Sequence, residues 1–378
     1  MDLSPDDRDL LALYLAHGIG PKTLSALLQK FGTASAVRHA SPSELSEIPH
    51  MGRAVAEKLH AAFASRDVDA EIEEMRKFGV KLVRLGSPGY PASLAEVPVP
   101  PQLIYVRGEF VPQDREAVGI VGSRLCTSYG RKTAERLAYD LARAGVTIVS
   151  GLARGIDASA HRGALDAGGR TIAVMAGGLS KIYPPEHKEL AAEVMAHGAL
   201  VTEAAMRMDP LAGMFPARNR IISGLSRGVI LVEANEKSGA LITAEHAAEQ
   251  GREVFAVPGQ VDSPASEGTL RLLRQGAKLV RHAKDVLDDL AGLAPLTPNA
   301  VAATPAAPIE APTARPNVRP VGMSDAETGL WEALDTPRTI DELCRHLGKT
   351  MGELASLLMM MEIRRLVRRL PGNVYERF

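Results

Sequence analysis

Cysteine and aromatic residues are scarce in this chain of 378 residues, and neither charge sign dominates. Two cysteines, Cys126 and Cys344, stand far apart, which excludes a disulfide framework and a cysteine-built zinc site and fits free thiols in a reducing compartment. Aromatics make up 4% of the residues, too few for a nucleic-acid binder built mainly from stacking platforms. The formal net charge is −1, so the chain is no bulk polycation, and polyanion binding must come from local clusters. No uninterrupted apolar run is long enough to cross a bilayer, and the acidic start MDLSPDD lacks the basic opening of a signal peptide. The expectation is a soluble, cytoplasmic protein with no membrane partner. Also missing are a Walker A loop, a G-x-G-x-x-G fingerprint, metal-ligand spacing and a paired acid–base set. No metal, no cofactor and no enzymatic activity are therefore expected.

What is present is glycine next to cationic side chains. Four apolar runs end in such turns: VGIVGSR (Val118 to Arg124), VSGLARGID (Val149 to Asp157), VMAGGLSKIYPP (Val174 to Pro185) and ILVEANEKSG (Ile230 to Gly239). A fifth segment, FPARNR (Phe215 to Arg220), sets two arginines around an asparagine. Backbone N–H groups at glycine turns and helix N-termini favour anions. One mononucleotide needs one such turn; several in series suit a ligand with many phosphates.

Residues 1–78 read as a helical domain of helix–hairpin–helix type. HGIGPKTLSALLQKFG carries the better turn, Gly18 to Thr23, and LSEIPHMGRAVAEKLHAAF holds a degenerate second copy with only Gly52. Residues 79–291 alternate apolar β-branched runs with helical stretches. Candidate strands are Val118–Val121, Thr147–Ser150, Thr171–Met175, Leu200–Thr202, Val229–Val232, Val254–Val257 and Lys278–Val280, with VKLVRL and QLIYVRG extending the sheet before them. Near-continuous apolar strands between helices predict an α/β, Rossmann-like, mostly parallel sheet covered on both faces. Residues 292–321, rich in Ala, Pro and Thr, read as an extended linker. Residues 322–378 read as three helices and a hairpin turning at Pro371-Gly372-Asn373, a winged-helix domain in which Arg364, Arg365, Arg368 and Arg369 form a basic face.

Gly122 permits close backbone approach to a phosphate, Ser123 supplies a hydroxyl and Arg124 a fork of donors. Arg154 is the ligand-contact candidate of the second turn. Ser150, Asp157 and His161 invite a hydrolase triad, but Asp157 and His161 are one helical turn apart and fit a contact with each other, and Ser150 lacks a G-x-S-x-G elbow. Lys181 and Lys188 follow Gly177-Gly178, with Tyr183 able to stack on a base. Arg218, Asn219 and Arg220 fit a phosphate, or else a structural salt bridge with Glu203 or Glu233. Lys237, Ser238 and Gly239 open a helix with Thr243 in its first turns and fit a further phosphate cradle.

Taken in order, IVGSR, SGLARGIDASAH, TIAVMAGGLSKIYPPEHKEL, FPARNRIISGLSRGVILVEA, SGALITAEHAAEQGREVFAVPG and GAKLV resemble the bacterial DNA-processing protein A (DprA/Smf) family over nearly the whole chain. The resemblance implies an extended Rossmann-like domain between variable terminal modules. It also implies binding of single-stranded DNA, its protection during natural transformation, and loading of the recombinase RecA, without catalysis. It places the family's GSR at Gly122, Ser123 and Arg124, its RNR at Arg218, Asn219 and Arg220, and its SG turn at Ser238-Gly239. The pocket lysine is Lys181 or Lys188, because Ser180-Lys181 replaces the family's acidic residue and His187 its asparagine. It further implies a homodimer formed through GTLRLLRQ, making Leu270 and Leu273 interface candidates. Two other readings remain: a nucleotide phosphoribohydrolase on a related scaffold, whose P-G-G-x-G-T-x-x-E signature AGGLSKIYPPE matches poorly, and a duplex-DNA regulator acting through the winged helix.

Overall fold

The structure, a computed structural model, describes residues 3–16, 19–49, 51–64, 67–291, 323–334, 338–364, 366–370 and 374–377. Gly18, the linker, Arg365 and the Pro371-Gly372-Asn373 turn lie outside the described residues. The chain divides into two compact units, residues 1–302 and 303–378.

The first unit opens with α1 (Pro5–Leu15), α2 (Pro21–Phe31), α3 (Ala34–His39), α4 (Pro42–Ser46), α5 (Arg53–Ala64) and α6 (Asp67–Phe78). Their starts follow from capping chemistry. The Ser4 hydroxyl accepts from the Asp7 N–H ahead of α1, and Ser41 and Glu44 cap each other's backbone ahead of α4. Leu10, Leu27, Leu59 and Met75 from these helices share one continuous core with Leu103, Tyr105 and Met175 of the sheet. Polar contacts reinforce that seam. The Met206 N–H donates to Glu71 Oε1 at 2.7 Å, and Arg84 donates to Asp6 at 2.6 Å.

The sheet region comprises β1 (Lys81–Arg84), α7 (Ala92–Ala95), β2 (Leu103–Gly108), β3 (Ala117–Val121), α8 (Ser128–Arg143), β4 (Thr147–Ser150), α9 (Ile156–Asp166), β5 (Thr171–Met175), α10 (Lys188–His197), β6 (Ala199–Thr202), α11 (Met214–Gly224), β7 (Gly228–Leu231), α12 (Ala240–Glu249), β8 (Glu253–Ala256), α13 (Glu267–Arg274), β9 (Lys278–Leu279) and α14 (Ala283–Ala291). Among the described residues, nine strands form one sheet in the order β1-β2-β6-β5-β4-β3-β7-β8-β9. From β6 to β9 every pairing is parallel; β1–β2 and β2–β6 are antiparallel. This is the mostly parallel, Rossmann-like sheet that the apolar runs predict, and the two early runs do extend it.

All five residues of β3 are buried, and their alternation shows why the strand sits at the centre. Val118 and Ile120 pack with Leu137, Leu141 and Ala160 of α8 and α9. Ala117 and Val121 pack on the other face with Ile221, Leu241 and Ala244 of α11 and α12. Side chains two apart share a face of a strand, and each fully buried Val or Ile contributes roughly 1.5–3 kcal/mol. Chain progression runs from β3 through β4 and β5 to one side, then returns across the sheet to β7 on the other. The β3/β7 junction is therefore the topological switch point, where open α/β sheets place their ligands beyond the strands' carboxyl ends.

The second unit contains α15 (Asp325–Ala333), β10 (Arg338–Thr339), α16 (Ile340–Leu347), α17 (Met351–Ile363), β11 (Val367–Leu370) and β12 (Val374–Arg377), with β12 between β10 and β11. Leu330, Trp331, Leu343, Leu354 and Met361 make its core. The winged-helix expectation holds, and the hairpin pairs the runs that the sequence reading assigned to it. Helix α17 stops at Ile363, because Val367–Leu370 pairs with Val374–Arg377 as a hairpin. Arg368 and Arg369 thus lie on a strand, opposite Glu376 and Tyr375. Arg364 caps the helix and donates to Glu327 at 2.7 Å.

Candidate nucleic-acid interface

The carboxyl ends of β3 and β7 open into a cleft of about 770 Å³. Gly122, Ser123, Arg124, Arg218, Asn219, Lys237, Ser238 and Gly239 all line it, so the structure brings together three separate sequence motifs. Gly122 is fixed by space: a Cβ there would lie 2.7 Å from Ile156 and 2.8 Å from the Glu233 carbonyl oxygen. The Ser123 N–H donates to that same carbonyl at 2.7 Å, tying the β3 turn to the β7 turn. Arg124 is exposed, and its guanidinium lies over the Phe215 ring at 4.5 Å from the centroid, a cation–π contact that orients the fork without neutralising it. Lys237 is exposed, with its N–H held by the Asn235 side chain at 3.1 Å. Helices α9, α11 and α12 begin at Gly155, Gly213 and Gly239 with no side-chain cap. The first N–H of α12, that of Ala240, donates to the Ser238 hydroxyl at 3.3 Å, which leaves the starts of α9 and α11 without a side-chain acceptor, a setting that favours an anion.

Arg218 takes a different position. It is buried, and its Nη1 donates to the carbonyls of Gly151 at 2.6 Å and Val174 at 2.5 Å. Its Nε donates to Asn219 Oδ1 at 3.2 Å, and Asn219 Nδ2 donates to the Gly239 carbonyl at 3.2 Å. One arginine therefore fastens the ends of β4 and β5 to the start of α12. Gly151 leaves the room: a Cβ there would lie 2.0 Å from the guanidinium. Burial lowers the Arg218 pKa and raises that of Asp157 above the usual carboxylate range, and each charge opposes the other's shift. Arg220 points elsewhere, donating to Glu203 Oε2 and to the Val99 carbonyl, both at 2.5 Å. Of the two acids weighed for the arginine pair, Glu203 takes Arg220, whereas Glu233 accepts from the Thr127 N–H and hydroxyl at 2.8 and 2.5 Å.

The remaining cations extend outward from the cleft. Arg154 lines a smaller depression with Arg124, Gly177 and Tyr183, and pairs with Glu186. Lys181 pairs with Asp209 at 2.9 Å, with both side chains largely exposed; such pairs are worth little and exchange readily. Lys188 is exposed at the first turn of α10. Leu152, in the turn carrying Arg154, has φ 55°, a left-handed conformation rare for non-glycine residues and typical of functional turns.

The trio Ser150, Asp157 and His161 is occupied structurally. The Ser150 hydroxyl donates to the Ile120 carbonyl at 2.6 Å, and Asp157 accepts from the Ala153 N–H at 3.3 Å. His161 Nδ1 meets Thr171 Oγ1 at 2.7 Å, and its Nε2 is buried without a partner, so the anticipated Asp157–His161 contact is replaced by one to the neighbouring strand. Burial, with the charges of His187 and Arg218, pushes the His161 imidazole down to about 3. The unfolded imidazole titrates near 6.5, so below that pH the unfolded chain binds the extra proton and stability falls as pH drops. In urea titrations from pH 6.5 to 5, His161→Gln is expected to flatten the loss by up to about 1.4 kcal/mol per pH unit; parallel profiles for both proteins would contradict the assignment.

Among the described residues, no helix is long and apolar enough to cross a membrane, and no group of three or more His, Cys, Asp or Glu could hold a metal ion. Both cysteines are free.

A doubly wound α/β sheet with a cationic, glycine-lined switch-point cleft, preceded by a helical tandem and followed by a winged helix, defines a class of multidomain α/β proteins with an anion-receptive edge. Residues 81–291 match the family model for DNA recombination-mediator protein A, residues 302–373 that for the DprA winged helix domain, and residues 8–65 that for a SAM-like helix-hairpin-helix tandem. The chain belongs to the DNA recombination-mediator protein A (DprA/Smf) family. It is 33% identical to the protein Smf of Synechocystis sp., over 97% of this chain and 98% of that one. It is 39% identical to the DNA processing protein DprA of Bacillus subtilis, over 66% and 87% respectively. The X-ray structure of DprA from Streptococcus pneumoniae superimposes with a TM-score of 0.66 at 34% identity, covering 76% of this chain and 99% of that one. DprA from Helicobacter pylori, whose structure was reported for its single-stranded DNA binding mode, superimposes with a TM-score of 0.52 at 29% identity, covering 57% and 97%.

Proposed function

We propose that this protein binds single-stranded DNA through its phosphates along the carboxyl edge of the sheet, protects it, and passes it to RecA during natural transformation and recombination, without catalysing a reaction. The observation that carries this reading is the convergence of Gly122-Ser123-Arg124, Arg218-Asn219 and Lys237-Ser238-Gly239 on one cleft. Arg124, Lys237, Ser123, Ser238 and the glycine backbones are the phosphate contacts, Arg154, Lys181 and Lys188 extend the track, and Arg218 and Asn219 position it. The use of Ser150 and His161 as structural hydrogen-bonding groups speaks against a hydrolase triad of Ser150, Asp157 and His161. Titration of the full chain with oligo-dT, a duplex hairpin and nucleoside monophosphates tests the reading. Tightest binding is expected for oligo-dT; a preference for the hairpin would favour the winged-helix regulator, and hydrolysis of a monophosphate the enzyme.

The proposal includes a homodimer in the cytoplasm. Helix α13 packs Leu272 against the sheet core; Leu270, Leu272 and Leu273 are all half-buried, and Leu279 of the edge strand β9 is 49% exposed. An apolar strip next to an open sheet edge suits a second copy across a two-fold axis, where each residue acts twice. Leu273→Arg is expected to give a monomeric mass by light scattering at micromolar concentration, with reduced RecA loading. A dimeric mass with lowered thermal stability would assign Leu273 to the subunit's own core.

A further inference from the structure

Beside the cationic cleft lies a second cavity of about 440 Å³, between the α1–α2 turn and the carboxyl ends of β5 and β6. Its chemistry is the reverse of its neighbour's. The walls include Tyr14, Met175, Met208, Met214 and Ala217, and Glu203 stands among them. Arg218 lines both cavities, and Met175 and Ala176 continue into the small depression holding Arg154. The sheet edge thus carries a phosphate-binding stretch that runs directly into an apolar one.

Three features describe the occupant. Three thioethers and a tyrosine favour a flat aromatic ring, because sulfur and aromatic edges attract. The volume suits a base or nucleoside rather than a peptide or acyl chain. Glu203 gives Oε2 to Arg220, while its Oε1 is buried with no hydrogen-bond partner. An unsatisfied buried carboxylate oxygen is costly until a donor reaches it. Carboxylates accept from amino-bearing base edges, whereas the single N–H of thymine's pairing edge sits between two carbonyls that repel an anion.

We propose that this cavity is a nucleobase pocket selective for amino-bearing bases, with Glu203 as the acceptor. The base is supplied by the strand in the adjacent cleft or by a free nucleoside. The first source rests on the strand-binding reading above; the second does not.

Calorimetry on the full chain separates these sources. One arm uses guanosine, adenosine, cytidine and thymidine. The other uses a 20-mer of dT against the same oligomer with one central dG, dA or dC. Amino-bearing bases are expected to bind about tenfold more tightly than thymidine, or to tighten the oligomer about tenfold, the value of one hydrogen bond to a charged group. Ala217→Leu fills the cavity from an exposed position and is expected to abolish that preference while leaving dT binding unchanged. Should this variant fail to fold, Met208→Phe fills it from a residue 47% exposed. A preference in the nucleoside arm assigns a free ligand, and one in the oligomer arm alone assigns a base from the strand. No preference in either arm, or one that survives filling the cavity, overturns the proposal. Failure of the 20-mer of dT to bind, with nucleoside selectivity intact, would overturn the strand reading and leave the pocket.

Discussion

Arg124→Ala is expected to weaken oligo-dT binding about tenfold at low salt and to flatten the salt dependence of log K by about 0.7 to 1. Arg124 is exposed, lies on the rim of the cleft, and has its guanidinium placed over Phe215 at 4.5 Å from the ring centroid. Removing the side chain takes one phosphate contact and its released counterion without disturbing a core residue. Phe215→Leu is expected to act in the same direction but more weakly, because it frees the guanidinium from its platform and leaves the charge. Fluorescence anisotropy at several salt concentrations measures both quantities. An unchanged slope in folded Arg124→Ala would move the strand away from the β3 turn.

Arg218→Met is expected to cost about 3–5 kcal/mol of stability, the range for removing one partner of a buried charge network. The carbonyls of Gly151 and Val174 lose their shared donor, Asn219 Oδ1 loses another, and Asp157 keeps its burial without the opposing charge. Lysine is not a substitute, since a point charge cannot reproduce the guanidinium fork. Urea denaturation of the wild type, Arg218→Met and Arg218→Lys checks this. A loss below about 1 kcal/mol, the level of exposed groups, combined with lost oligo-dT affinity, would make Arg218 a direct phosphate contact instead.

The difference between these two arginines marks where the sequence could be read and where it could not. The strands were legible because their β-branched runs are buried on both faces, so each run and its ending turn stood out. The glycine turns were legible for the same reason, and with them Arg124 and Lys237. The fate of Arg218 was not, because its acceptors come from positions 67 and 44 residues away. Beside an apolar run, a buried arginine that binds an anion looks the same as one that binds two carbonyls. His161 shows the local version: helical spacing offered Asp157, and Thr171 on the next strand took the bond. The apolar cavity left no signal, since its walls come from α1, the α1–α2 turn, β5, β6 and α11 and meet only in the folded chain. The C-terminal hairpin was legible, because two short β-prone runs flank Pro-Gly-Asn in the sequence, and Val367–Leu370 pairs with Val374–Arg377.

The most direct test of the central claim is the oligo-dT affinity of a chain lacking residues 292–378, measured across salt beside the full chain. The first compact unit holds the whole sheet and its cleft. The account predicts that this fragment folds, keeps most of the single-strand affinity and retains the slope of the full chain. Loss of most of that affinity in a folded fragment would contradict it and place the principal site in the winged helix.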